Sequence, residues 1–198
     1  MRIVLLILLA IVTSCTDSSG GFVRVRASGL AAAASGYPHT EGDTTVSFAD
    51  DFAVTFDNVL VCLEAFALES ADGTTVELPI DPVIFDLRDS TTELWQVAAP
   101  LGSFSGVSFR TRGARHSDRI VGDIADNEIH YMLQNQLGLY VVGRATKGSE
   151  TFRFFLGFPA MHYVHCENGL DPAGAFEVDA RLPADVELSF HLDHMFYD

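Results

Sequence analysis

The chain closes on its densest group of metal-binding side-chain types: His191-Leu192-Asp193-His194-Met195-Phe196-Tyr197-Asp198. Just upstream, Val186, Leu188, Phe190 and Leu192 recur at every second position, the period of a half-buried strand. That parity sends Glu187, Ser189, His191 and Asp193 to the other face, and puts His194 on the apolar side unless the strand bulges or ends first. Neutral imidazole and carboxylate suit zinc, copper or iron. His191 and Asp193, with His194, form an incomplete ligand set, so His162, His165 or Asp198 would have to complete it. The competing reading is two polar residues on a solvated strand face.

A second group is His162-Tyr163-Val164-His165-Cys166. If Cys166 points into the core, His162 and Val164 share its face and His165 points away with Tyr163. His-x-x-His on a strand does not present both rings to one ion, unlike the same spacing on a helix. His162 then reads as a partly buried histidine bonded to a backbone carbonyl. Catalytic templates are missing: Gly102-Ser103-Phe104-Ser105-Gly106 has Phe where a nucleophile elbow needs Ser, and there is no H-E-x-x-H, P-loop or dinucleotide fingerprint. Asp50, Asp51 and Asp57 lack the spacing of an EF-hand. No catalytic residue is nominated.

The address is more legible. Met1-Arg2 precedes ten apolar residues, Ile3 to Val12, and then Thr13-Ser14-Cys15. A positive start, a short apolar run and small residues before a cleavage point make a secretory signal. Ten helical residues rise only about 15 Å, half of a ~30 Å hydrocarbon core, so this segment does not span. Val12-Thr13-Ser14-Cys15 resembles the bacterial lipobox. That resemblance implies a signal peptide over residues 1–14, a diacylated Cys15 and a tether over residues 15–21. The alternative is an ordinary signal peptide with an incidental cysteine. Two acyl chains anchor stably where one does not. Thr16, rather than Asp, after the cysteine implies by the same resemblance the outer membrane, facing the periplasm or the cell surface.

Removal of the leader leaves about 184 residues, enough for one domain with its own core over residues 22–198. The net charge of −15 becomes −16 once Arg2 is lost. Such a surface repels phosphate backbones and excludes nucleic acid as a partner. It suits cations, basic proteins or plain solubility. Of three cysteines, giving Cys15 to lipid leaves Cys62 and Cys166, and an oxidising compartment leads one to expect a disulfide between them. It would close a loop of roughly one hundred residues, worth about 4–5 kcal/mol in the chain-entropy treatment. The alternative is two buried free thiols.

Short segments of period two must position these groups. Phe22 to Arg26, Phe48 to Phe56, Val59 to Ser70, Val83 to Leu87, Leu94 to Ala98, Phe104 to Arg112, Met161 to Cys166, Ala175 to Arg181 and Val186 to His194 all read as strands. Asp72-Gly73 predicts a hairpin into Thr74–Leu78, and Lys147-Gly148-Ser149 a second one between Leu139–Ala145 and Thr151–Phe158. Residues 29–42 read as irregular, and 123–136 could hold one short helix. Many short strands with regular turn signals predict an all-β, antiparallel, Ig-like β-sandwich.

Asp51-Phe52-Ala53-Val54-Thr55-Phe56-Asp57-Asn58-Val59-Leu60-Val61, Phe85-Asp86-Leu87, Gly102-Ser103-Phe104 and the terminal His191-x-Asp193-His194-x-Phe196-Tyr197-Asp198 carry a resemblance. Over residues 45–198 the chain resembles a group of uncharacterised acidic lipoproteins of myxobacteria and relatives. More distantly, the order of elements is similar to the MbnP-type periplasmic copper-binding β-sandwich proteins. That likeness implies copper held by histidines near an oxidised tryptophan, for which Trp95 is the one candidate, although the residues flanking it depart from that family's pattern.

Three functions follow as expectations. One is a membrane-anchored envelope lipoprotein holding copper or zinc through His191, Asp193 and His194. Another is a non-catalytic structural or interaction module that presents loops or edges to an envelope protein. The third is a hydrolase with an unrecognised site. An uncovered edge strand ringed by exposed aromatics would favour the interaction module.

Overall fold

The computed structural model describes residues 20–48, 50–89, 92–159, 161–167 and 174–192. The leader, Cys15 and the tether up to residue 19 lie outside the described residues, as do Asp193, His194 and Asp198.

The described residues form fifteen strands and two helices. β1 (Gly21–Ser28), α1 (Leu30–Ser35), β2 (His39–Glu41) and β3 (Thr44–Val46) come first, followed by β4 (Ala53–Glu69) and β5 (Thr75–Glu77). Then come β6 (Val83–Asp86), β7 (Thr92–Ala99), β8 (Gly102–Phe104), β9 (Gly106–Thr111), β10 (Arg119–Val121) and α2 (Asp126–Gln134). β11 (Leu139–Lys147), β12 (Glu150–Phe158), β13 (His162–Glu167), β14 (Phe176–Val178) and β15 (Ala184–Ser189) complete the order.

The spine is β4, 17 residues long. Along one side it pairs with β11 and then β9; along the other it pairs with β6 and β5. With β10, β12 and β13 these strands form an eight-stranded sheet. A three-stranded sheet, β15-β1-β7, supplies a second layer, and β14-β8 and β2-β3 are small pairs. An all-β sandwich-like architecture is therefore the fold, with two parallel pairs among the antiparallel ones: β1 with β15 and β10 with β6.

Val59, Val61 and Leu63 of β4 face the other sheet, and so do Phe66 and Leu68. Period two alone would put Phe66 and Leu68 outside. An irregularity between Leu63 and Ala65 in the pairing with β9 shifts the parity by one and returns the larger side chains to the core. Each such buried Leu or Phe contributes about 1.5–3 kcal/mol over an exposed one. The outer face of mid-β4 is covered as well. α2 lays Ile129 and Met132 over Leu60, Cys62, Ile84, Tyr140 and Val142 as a second apolar cluster. Asp126 and Glu128 in its first turn suit the positive end of the helix dipole.

Both expected hairpins form. Gly73, at φ 84°, closes the turn from β4 to β5, with the Thr74 N–H donating to the Asp72 carboxylate at 2.9 Å. Gly148, at φ 60°, begins a two-residue turn that sets Lys147 opposite Glu150. α2 falls inside the 123–136 stretch read as a short helix. In the stretch read as irregular, the alanine run instead folds into α1, which buries Ala32 and Ala33, and β2 pairs with β3 just beyond that stretch. No helix among the described residues is long and apolar enough to cross a membrane.

Candidate functional site

β15 stops at Ser189, two residues short of His191. The in-out alternation nevertheless continues, carried by the Phe190 N–H donating to the Ser28 carbonyl at 2.9 Å. Leu188 and Leu192 are buried, while Glu187, Ser189 and His191 are exposed on the outward face of the three-stranded sheet. The parity of His191 is thus as read; its placement within the final strand is corrected.

His162 and His165 lie on β13, at the rim of the other sheet. Val164 and Cys166 pack against the core, so Tyr163 and His165 face outward. His165 Nδ1 lies 2.5 Å from Glu69 Oε2, and the Tyr163 hydroxyl is 2.6 Å from Ser108 Oγ. His162 is exposed, not tucked into the core, and its backbone N–H donates to Thr111 Oγ1 at 3.2 Å. His191 and His165 leave from opposite outer surfaces of the sandwich. Among the described residues no three His, Cys, Asp or Glu side chains converge as a metal ligand set.

The expected Cys62–Cys166 disulfide is not formed; both thiols are free. Cys166 pairs with Val107, and Val107 with Leu68, so Cys166 stands level with a residue six positions along β4 from Cys62. At ~3.3 Å per residue that is roughly 20 Å, against the 7 Å limit on Cα separation in a disulfide. The two also point to opposite faces: Cys62 under α2, Cys166 into the inter-sheet core.

Cys62 instead belongs to a buried polar network that the sequence reading missed. Arg112 holds Asp118 with two nitrogens, at 2.8 and 2.7 Å, and reaches Glu64 Oε1 at 3.0 Å; Arg110 takes the other Glu64 oxygen at 2.8 Å. Asp118 also accepts the Arg115 N–H at 2.7 Å and lies 3.4 Å from the Cys62 sulfur. Burial pushes the Cys62 thiol up to about 12, helped by the charge of Asp118. Burial alone would raise Asp118 too, but the Arg112 and Arg115 hydrogen bonds outweigh it and hold the carboxyl below its ordinary value. A protonated, enclosed thiol is a poor nucleophile. The network ties the chain after β9 to the sheet. Its one sequence signal is Arg110 and Arg112 at strand spacing, and Asp118 lies in a loop with no pattern to mark it.

Trp95 is buried against Phe66, and its indole N–H donates to the Asp81 carbonyl at 2.9 Å. It lines a shallow open depression with Asp81, Glu93 and Arg119. Among the described residues, no histidine lines that depression.

Exposed apolar area gathers at a sheet rim. β12 pairs with β11 and with no other described strand. Phe152, Phe155 and Phe158 are 52%, 54% and 41% exposed, and Met161 and Tyr163 follow on the same rim. Through β11, Thr151 aligns with Ala53; through β9, Glu167 aligns with Glu69. β12 and β13 therefore run beside the whole of β4, two strands away, as one long rim broken only around Pro159. Compared with protein families, with curated proteins and with solved structures, the chain matches none.

Proposed function

We propose that the chain is a lipid-tethered protein of the cell envelope whose β-sandwich is a non-catalytic interaction module, and that the rim of β12 is its contact strand. The observation that carries this is the nine-residue β12, which pairs with no described strand but β11 and exposes its phenylalanines. Sheet edges in soluble proteins are normally blunted by charge, proline or a covering element, because open N–H and C=O groups template another strand. Here Arg153 is the one charge between Glu150 and Pro159. Main-chain pairing supplies affinity at such an edge and alternate side chains supply selectivity. The tether at Cys15 would hold this edge at the membrane surface, facing the periplasm or the cell exterior.

Photo-crosslinking in intact cells tests the reading. A photoreactive residue at Phe155 should give a discrete adduct, and one at Asn127 on the exposed side of α2 should not. Equal adducts at both positions, or none at Phe155, would overturn it.

A second reading is a zinc or copper site through His191, Asp193 and His194. It is supported by the outward placement of His191 beside Ser189 and Glu187. It requires about one bound metal per untagged chain, lost on His191→Ala.

A further inference from the structure

We infer that the occupant of the rim is a second copy of this chain, with β12 paired antiparallel to β12 about a two-fold axis at Phe154. The inference rests on the reading of the rim as a contact strand and names its partner. The pair that closes a two-residue hairpin loop is hydrogen-bonded, and here that pair is Lys147 and Glu150. Alternation then commits the backbone groups of Glu150, Phe152, Phe154, Leu156 and Phe158 to β11. The Phe158 carbonyl does accept from the Gly138 N–H, at 2.8 Å. The N–H and C=O groups of Thr151, Arg153, Phe155 and Gly157 point outward, along a rim where no described strand lies.

Reversing β12 about Phe154 matches these four residues to one another. Arg153 falls opposite Phe155 of the second copy, and Thr151 opposite its Gly157. On the other face Phe152 meets Leu156, and Phe154 meets its own counterpart. No charge faces a like charge, and the guanidinium meets a ring face, as Arg153 already does within the strand at 4.6 Å from the Phe155 centroid. An axis at Arg153 would set Arg153 against itself, and an axis at Phe155 would set it against Gly157 with no ring to cover. Opposed like charges destabilise a strand pair, whereas aromatic and cation–π pairs support it.

The wider electrostatics agree. The chain carries −15, yet no carboxylate occurs from Thr151 to Cys166, so two acidic molecules can approach along this line without opposing carboxylates. Their long-range repulsion remains, and it is screened over about 10 Å at 0.1 M salt. The two-fold axis of antiparallel edge pairing stands normal to the sheet. It turns the layer that holds β1 to the same side in both copies, so residue 20, just before β1, lies on that side in each. Two tethers to one membrane require that arrangement.

The test is sedimentation of residues 15–198 carrying Cys15→Ser, so that lipid cannot drive association. The expected result is a concentration-dependent dimer, tighter at about 0.3 M salt than at about 0.03 M. Phe155→Lys sets Lys against Arg153 twice and should weaken the dimer by about tenfold or more. Adding Arg153→Glu sets Glu against Lys at both places and should restore association to within about threefold. Both positions are exposed, and matching melting curves verify the fold of each variant. A monomer at about 0.1 mM in every salt would overturn the inference, as would a dimer indifferent to Phe155→Lys or not rescued by Arg153→Glu. If the purified chain is monomeric while Phe155 crosslinks in cells to a protein of another mass, the second copy is wrong and the interaction module stands.

Discussion

Arg112 meets Asp118 side on, Nη1 to Oδ2 at 2.8 Å and Nη2 to Oδ1 at 2.7 Å, with the carboxylate wholly enclosed. Two planar groups in register leave little of either charge unmatched, and the Gly113 carbonyl and Arg115 N–H take up more of the donors and acceptors. Such a pair is expensive to halve. Asp118→Ala leaves a buried guanidinium without its main partner and should cost about 3–5 kcal/mol in denaturant unfolding. Replacing both residues together, as Arg112→Met with Asp118→Leu, should cost much less. Equal losses in the single and double variants would show that the pair is not the source of the effect.

The same pair sets an acid limit on stability. Asp118 titrates below its ordinary value of 3.8 in the folded chain. Its contribution is therefore complete above that ordinary value and is lost as pH falls through the lower folded value. The stability gap between wild type and Asp118→Asn should hold steady from neutral pH down to the ordinary carboxylate range and shrink below it. A gap that closes between pH values well above that range would assign the effect to another group.

Cys62 and Cys166 should differ in reactivity. Cys62 is fully buried under α2, with its thiol held up to about 12, and Cys166 is half-buried with a raised thiol. Alkylation of the native protein at mildly alkaline pH should mark Cys166 first and leave Cys62 untouched until unfolding. An intact mass showing the two joined would reverse the assignment of free thiols.

Met132 belongs to the apolar cluster that encloses that thiol. It is fully buried among Cys62, Ile84 and Tyr140 in the cluster beneath α2. Met132→Ala should cost about 2–5 kcal/mol and open Cys62 to labelling. Unchanged protection of Cys62 would mean that α2 does not need this side chain to cover the sheet.

Cys15 carries the lipid in the proposed function. Cys15→Ser should move the exported protein from the detergent phase to the aqueous phase, since a ten-residue apolar leader does not span. Retention in detergent after that change would point to another anchor.

How much of this was legible beforehand depends on the range of the interaction. Turn chemistry acts over three or four residues, so Asp72-Gly73 and Gly148-Ser149 marked both hairpins in the sequence, and the Val186–Leu192 alternation oriented His191 correctly. Period two also exposed most strands, because one buried face per strand leaves a direct trace in residue order. Partnership between strands leaves no such trace. The alanine run at 31–34 favours helix by propensity, but six residues are too short to hold a helix alone, and the burial of Ala32 and Ala33 is what forms α1. Counting cysteines suggested a bond, but the β4–β9–β13 register and the sheet face decided that Cys62 and Cys166 never meet. Arg112 and Asp118 came together because the turn after β9 folds back over the sheet, a long-range outcome of the core. The openness of β12 is likewise a matter of sheet order: its sequence resembles that of any buried aromatic strand, and only its place at the end of the order leaves Thr151, Arg153, Phe155 and Gly157 with backbone groups facing outward.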